Sequence, residues 1–182
     1  TSGAGKSTLF NLIIGLLEPT SGQIEIDGTA LKKETRKSWI KNIGYVPQEV
    51  YIFNGTIAEN IALGFNHIDK VKIAQLIKWT SLDTWIDSLP NGIDTSLHEA
   101  GGNLSGGQKQ RIGIARALYK GASVLLMDEA TSALDNNTEQ EIIQTIKDLK
   151  NSCNNLTILS IAHRATSLSY CDRIITIKRD DE

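Results

Sequence analysis

The opening residues, Thr1-Ser2-Gly3-Ala4-Gly5-Lys6-Ser7-Thr8, fit the pattern G-x-x-x-x-G-K-S/T except for its first glycine, which is expected immediately before Thr1. Glycines permit a tight turn whose backbone N–H groups converge on phosphate oxygens, and a following helix adds its positive amino end. A polyphosphate fits such a loop. Lys6 would bridge its β and γ phosphates as a point charge, and the Ser7 hydroxyl is placed to ligate Mg²⁺. A glycine-rich turn with a chance lysine is the simpler reading, but the apolar run KSTLFNLIIGLL that follows has the helical spacing the motif requires.

A second chemical element is Val124-Leu125-Leu126-Met127-Asp128-Glu129, an apolar strand pattern ending in two acids. Carboxylates at the carboxyl end of a parallel strand stand where open α/β sheets bind ligands. Asp128 would hold Mg²⁺ directly or through water, and Glu129 would act on an in-line water as general base or orienting group. Taken alone, acids after a strand are often only helix caps. The third element is Leu104-Ser105-Gly106-Gly107-Gln108, followed by the helical pattern KQRIGIARAL. Ser105 resembles an N-cap, and the glycines leave the backbone open to a phosphate. One site needs one such cradle, so the second suggests two copies sharing two nucleotides.

Positioning these groups requires strands alternating with helices. Gln23–Ile26 alternates as a strand before the turn Asp27-Gly28, and Ile43–Val46 reads as a buried strand before Pro47. Thr56 to Leu89 reads as helical until Pro90-Asn91-Gly92 breaks it. A long helix then runs through Leu118. The strand of Val124–Met127, a helix from Thr138 to about Lys150, a strand of Thr157–Ile161 and a last strand of Arg173–Ile177 complete the series. The expected fold is α/β, a mainly parallel sheet flanked by helices with an inserted helical subdomain.

Composition agrees with that size of core. The chain has 182 residues, 40% hydrophobic and 22% charged, which suits one domain. Its formal charge of −2 advertises no broad cationic surface, so nucleic acid is not an expected partner. The apolar run from Leu9 to Leu17 is far shorter than the roughly 20 residues of a membrane-spanning helix. Cys153 and Cys171 form no CxxC pair and read as reduced core thiols.

The order TSGAGKST, YVPQ, LSGGQ, LLMDEATSALD and SIAHR closely resembles the nucleotide-binding domain of ATP-binding cassette (ABC) transporters, over nearly the whole chain from Thr1 to about Lys178. The resemblance implies the ABC-type P-loop ATPase fold, with a helical subdomain at approximately 50–120. It implies a head-to-tail dimer in which Lys6 of one copy and Ser105 of the other sandwich each ATP with Mg²⁺. Residues 1–8 and the signature Ser105, Gly106, Gly107 and Gln108 would bind ATP; Ser7, Gln48 and Asp128 would meet the metal. Gln48 resembles the loop glutamine that touches Mg²⁺ or the attacking water and relays nucleotide state to the membrane domain. A surface turn after Pro47 is its simpler alternative. His163 resembles the switch histidine on the γ-phosphate, and Ser132-Ala133-Leu134-Asp135 the loop that communicates across the dimer, with a plain helix cap at Asp135 as the alternative. Arg111 and Arg116 are read as solvated or packing cations.

Within the family, YIFNGTIAENIALG resembles exporters and flippases. The exporter element before the signature is matched in part by Leu97-His98-Glu99-Ala100-Gly101-Gly102-Asn103, where His98 stands at a usual glycine. The expectation is ATP hydrolysis by a half-transporter at the cytoplasmic face of the cell membrane, with membrane helices before Thr1 on the same parent chain. Because the sequence starts inside a motif and stops after Glu182, it is expected to be an internal piece, poorly active in isolation. The competing class is a soluble ABC ATPase acting on DNA or ribosomes. Coiled coils, zinc cysteines or a second cassette would mark it, and none is visible between Gln48 and Ser105. A cassette that binds ATP without hydrolysing it would lack Glu129, His163 or Ser105.

Overall fold

A computed structural model describes residues 5–98, 103–153, 155–162, 164 and 166–177. Among the described residues three strands form the central sheet: β3 (Ile43–Val46), β6 (Val124–Asp128) and β7 (Thr157–Ile161), all parallel, in the order β3-β6-β7. Tyr45 lies opposite Leu126, and Asp128 opposite Ile161. Two small antiparallel pairs accompany it, β1 (Glu25–Ile26) with β2 (Thr29–Ala30) around the Asp27–Gly28 turn, and β4 (Gly55–Thr56) with β5 (Ser96–Leu97).

Side chains alternate across the pleat, so each strand feeds two cores. On one face, Ile43, Leu126 and Ile161 bury Phe10 of α1 (Lys6–Ile14), with Ile13 and Trp39 packed against them. Trp39 belongs to α2 (Lys33–Lys41), and its indole donates to the Ile13 carbonyl at 2.7 Å. On the other face, Val46, Leu125 and Met127 join Ile112 and Ile114 of α6 (Gly106–Tyr119) and Ile142, Ile146 and Leu149 of α7 (Asn136–Ser152). The helices expected after Gly5, after Ser105 and up to about Lys150 and the three buried strands therefore form, and α7 starts two residues earlier than its apolar pattern because Asp135 caps it.

The stretch read as helical from Thr56 to Leu89 is broken into α3 (Ile57–Ile61), α4 (Lys70–Trp79) and α5 (Asp83–Asp87). Thr56 and Glu59 form a capping box on α3, and Asp69 accepts from the Val71 and Lys72 N–H groups to start α4. Helices this short are marginal on their own. Packing holds them: Ile57, Ile61, Ile73, Leu76 and Leu82 are all nearly inaccessible and join the α6–α7 core. Each such side chain contributes roughly 1.5–3 kcal/mol, more than propensity supplies over a whole turn. Arg116 of α6 ties this region to the loop after β3, donating to the Asn60 carbonyl at 2.8 Å and the Tyr51 carbonyl at 3.0 Å. It is a structural cation, as is Arg111, paired with Glu141 at 2.9 Å.

The expected last strand is corrected as well. Arg173–Ile177 forms no strand, and Ile174 and Ile175 are exposed. A strand exists only where a neighbour completes its ladder, and the described part of the sheet gives this segment no hydrogen-bonded partner. Cys153 and Cys171 are free, as expected, but half-buried rather than in the core. Among the described residues no helix is long and apolar enough to cross a membrane.

Candidate nucleotide-binding site

The amino end of α1 is set by Gly5, whose φ of 83° turns the chain from the loop directly into the helix. The Gly5 carbonyl accepts the Leu9 N–H at 2.8 Å as the first bond of the helical ladder, so the first-turn N–H groups of Ser7 and Thr8 precede that ladder. Phe10 anchors this helix across the sheet. One groove runs along α1 from Lys6 to Ile13 and along β7 from Ile158 to Ala162, and a second, at the strand starts Val124 and Thr157, is lined by Ile13 and not by Lys6. The helix thus runs antiparallel to the strands, and its positive end stands over their carboxyl ends. Thr1, Ser2, Gly3 and Ala4 lie outside the described residues, as does His163.

At those carboxyl ends the sequence-predicted groups of β3 and β6 meet. Asp128 ends β6, and its Oδ2 accepts the Tyr45 hydroxyl at 3.0 Å. Burial first, then the bond to Asp128 and its charge, pushes the Tyr45 phenol up to about 12. Glu129 follows with φ of 49°, a left-handed backbone that a non-glycine residue adopts at a cost of roughly 1–2 kcal/mol. That turn carries Glu129 out of the sheet while its N–H still reaches the Ile161 carbonyl at 3.0 Å. Strain of this kind persists where surrounding bonds enforce it. Here the Ser132 N–H and hydroxyl both donate to the Glu129 carbonyl at 2.9 Å.

Gln48, two residues beyond β3, donates its amide to the Ser132 hydroxyl at 3.0 Å. Its own carbonyl accepts from Gln110 of α6 at 2.6 Å. The structure therefore joins Gln48, Ser132 and the Glu129 backbone in one hydrogen-bonded relay, while Asp128, the residue before Glu129, is bonded to Tyr45.

The signature turn joins this group through the start of α7. Ser105 caps α6, its hydroxyl accepting the Gln108 N–H at 3.2 Å while the Gln108 side chain accepts the Ser105 N–H at 2.8 Å. Gly106 and Gly107 have a packing role beside the open backbone read from sequence. A Cβ at Gly106 would lie 2.8 Å from Leu134 Cδ2, and one at Gly107 would lie 2.6 Å from Thr138 Cγ2. Asp135 is a cap in fact, accepting the Asn137 and Thr138 N–H groups and the Thr138 hydroxyl. The hydroxyl bond leads the backbone bonds in holding its carboxyl below the ordinary value.

Sequence reasoning missed three participants. Tyr45 shares the parity of Ile43, and a tyrosine ending an aliphatic strand beside the acids was the available signal. Gln110 is a polar residue on the buried stripe of α6, 5% exposed. Glu139 is 2% exposed and accepts from Ser167, from Arg164 at 2.8 Å and from Thr131, linking α7 to the segment beyond β7. Nothing local in the sequence marks that last cluster.

Among the described residues no three His, Cys, Asp or Glu side chains gather into a metal cage. The residues read from sequence as meeting Mg²⁺, Ser7, Gln48 and Asp128, offer a hydroxyl, an amide oxygen and one carboxylate, oxygen donors of the kind Mg²⁺ takes beside waters and phosphate oxygens.

Comparison with known proteins gives this arrangement its context. A model of the ABC transporter family matches residues 1–132. An ATP-dependent lipid A-core flippase of Ralstonia nicotianae is 41% identical over 180 residues, covering 97% of this chain and 30% of the flippase. The mitochondrial iron-sulfur clusters transporter ATM1 of Debaryomyces hansenii is 42% identical, with 98% of this chain and 25% of that protein covered. A solved structure of a bacterial Atm1-family ABC exporter with ATP bound superposes with a TM-score of 0.78 at 41% identity, covering 92% of this chain and 29% of that one. The chain thus spans under a third of the length of these relatives. With the phosphate-loop helix, the paired acids and the capped signature helix on one α/β frame, the chain belongs to the ABC transporter family.

Proposed function

We propose that the chain is a single ABC ATPase domain, with a helical subdomain at approximately 50–120, that binds and hydrolyses ATP to power translocation by an exporter or flippase. The relatives' names and the exporter-like segment after Gln48 support the transport reading over a soluble ATPase acting on DNA or ribosomes. The transmembrane domain would lie on the same parent chain, as the name of an ATP-binding/permease relative of Haemophilus influenzae suggests, with this domain at the cytoplasmic face of the membrane. A second ATPase domain would pack head to tail.

The observation that carries this reading is the hydrogen-bonded relay from the Gln48 amide through the Ser132 hydroxyl to the Glu129 carbonyl, directly after Asp128 at the carboxyl end of β6. Lys6 and the first-turn N–H groups of Lys6, Ser7 and Thr8 would hold phosphate oxygens, with Thr1–Gly5 completing the cradle. Ser7, Gln48 and Asp128 would hold Mg²⁺, which supplies charge neutralisation on the phosphates. Glu129 would take the proton of the attacking water, and His163 and Gln48 would orient that water. Ser105, Gly106, Gly107 and Gln108 of the partner copy would close over the γ-phosphate, so the electrostatic stabilisation would depend on both subunits.

Glu129→Gln in the full-length protein tests the reading. Hydrolysis is expected to fall about 100-fold or more, while ATP is retained and a closed dimer accumulates. Normal turnover in that variant would refute it. Lys6→Ala should instead weaken ATP retention.

A further inference from the structure

Tyr45 has no task in the reaction as proposed, yet its hydroxyl is bonded to a group that does. In the parallel register Tyr45 lies opposite Leu126, and Asp128 is two residues further along the same face. A side chain must therefore reach diagonally along the strand to meet the carboxylate. The ring supplies the length and the hydroxyl the donor, and the bond closes at 3.0 Å. Phenylalanine has the reach without the donor, and serine the donor without the reach. The residue is also 44% exposed, so burial of the ring does not account for an aromatic there.

We propose that Tyr45 is a positioning residue for Asp128: its phenol occupies Oδ2 and fixes the rotation of the carboxylate, leaving Oδ1 as the oxygen for the divalent cation or its bound water. This rests on the nucleotide-hydrolysing reading above. An ionised carboxylate is only an acceptor, so the phenol must be the donor. Groups that orient a metal ligand from behind typically govern metal affinity by 10–100-fold without touching the ion.

The test uses the full-length protein with Mn²⁺ as probe, read by electron paramagnetic resonance with a saturating non-hydrolysable ATP analogue. Analogue affinity is measured separately in EDTA. Tyr45→Phe should weaken Mn²⁺ binding by ~10-fold and leave metal-free analogue affinity unchanged. In an Asp128→Asn background the same substitution should add nothing, because the carboxylate it orients is gone. Unchanged or tighter Mn²⁺ binding in Tyr45→Phe overturns the proposal, as does an equal loss of metal-free affinity, which would assign the tyrosine to the fold. A wild-type protein that binds neither analogue nor Mn²⁺ with analogue would instead overturn the ATPase reading itself.

Discussion

The Gln48 amide donates to the Ser132 hydroxyl at 3.0 Å, and that hydroxyl donates in turn to the Glu129 carbonyl at 2.9 Å. The side chain that follows β3 is thereby tied, within one chain, to the strained turn that carries the second acid. A rearrangement of either segment must break or transmit through this bond. The Gln110 amide, bonded to the Gln48 carbonyl at 2.6 Å, extends the connection to the signature helix.

Removing the middle of that relay should be felt in turnover. A neutral hydrogen bond contributes a net ~1 kcal/mol, which corresponds to about fivefold in rate if it is lost only on the way to the transition state. Ser132→Ala is expected to slow ATP hydrolysis by about that factor, and Gln48→Ala combined with it should be no slower than Gln48→Ala alone. Steady-state rates of the four proteins in the cycle check this; full additivity would show that the bond has no functional part.

Close packing of the two helix starts gives a stability prediction. A methyl at position 107 would sit 2.6 Å from Thr138 Cγ2, and Thr138 cannot rotate away cheaply because its hydroxyl is bonded to Asp135 at 2.6 Å. Overpacking costs typically 1–3 kcal/mol, against a gain of about 1 kcal/mol for alanine over glycine in a helix. Gly107→Ala should therefore destabilise the start of α6, seen as faster hydrogen exchange there. Thr138→Ser, which drops Cγ2 and keeps the hydroxyl, should restore protection.

The buried Glu139 carboxylate predicts a pH dependence. The Ser167 hydroxyl, then Arg164, hold it below the ordinary carboxylate value. A depressed folded value means that the contribution is fully present above the unfolded value of about 4.3 and is lost as pH falls through the lower folded one. Arg164 is half exposed, which screens its share. Glu139→Gln should cost roughly 1–3 kcal/mol near neutrality. Melting temperatures of the two proteins should converge on acidification below about pH 4; a gap that stays constant would remove the carboxylate from the account.

Much of this was legible because it is local. The Gly5 turn into α1, the Ser105 and Asp135 caps, and the strand–acid pattern at Asp128 each depend on residues within a few positions of one another. The breaks between α3, α4 and α5 were not legible, since the apolar pattern continues across them and the ends are set by where Ile57, Ile73 and Leu82 find the α6 core. Arg173–Ile177 looked like a strand for the converse reason, as composition records a propensity and says nothing of a partner edge.

By itself, the sequence determined which residue types stand at the glycine turn, the strand end and the helix starts, and which elements begin and end beside them, because turn geometry and capping act over a few bonds. Tertiary structure decided which of those residues touch. Tyr45 meets Asp128 across 83 positions and Gln48 meets Ser132 across 84. Both contacts follow from the parallel register of β3 on β6, which is fixed by packing against α1 on one face and α6 on the other.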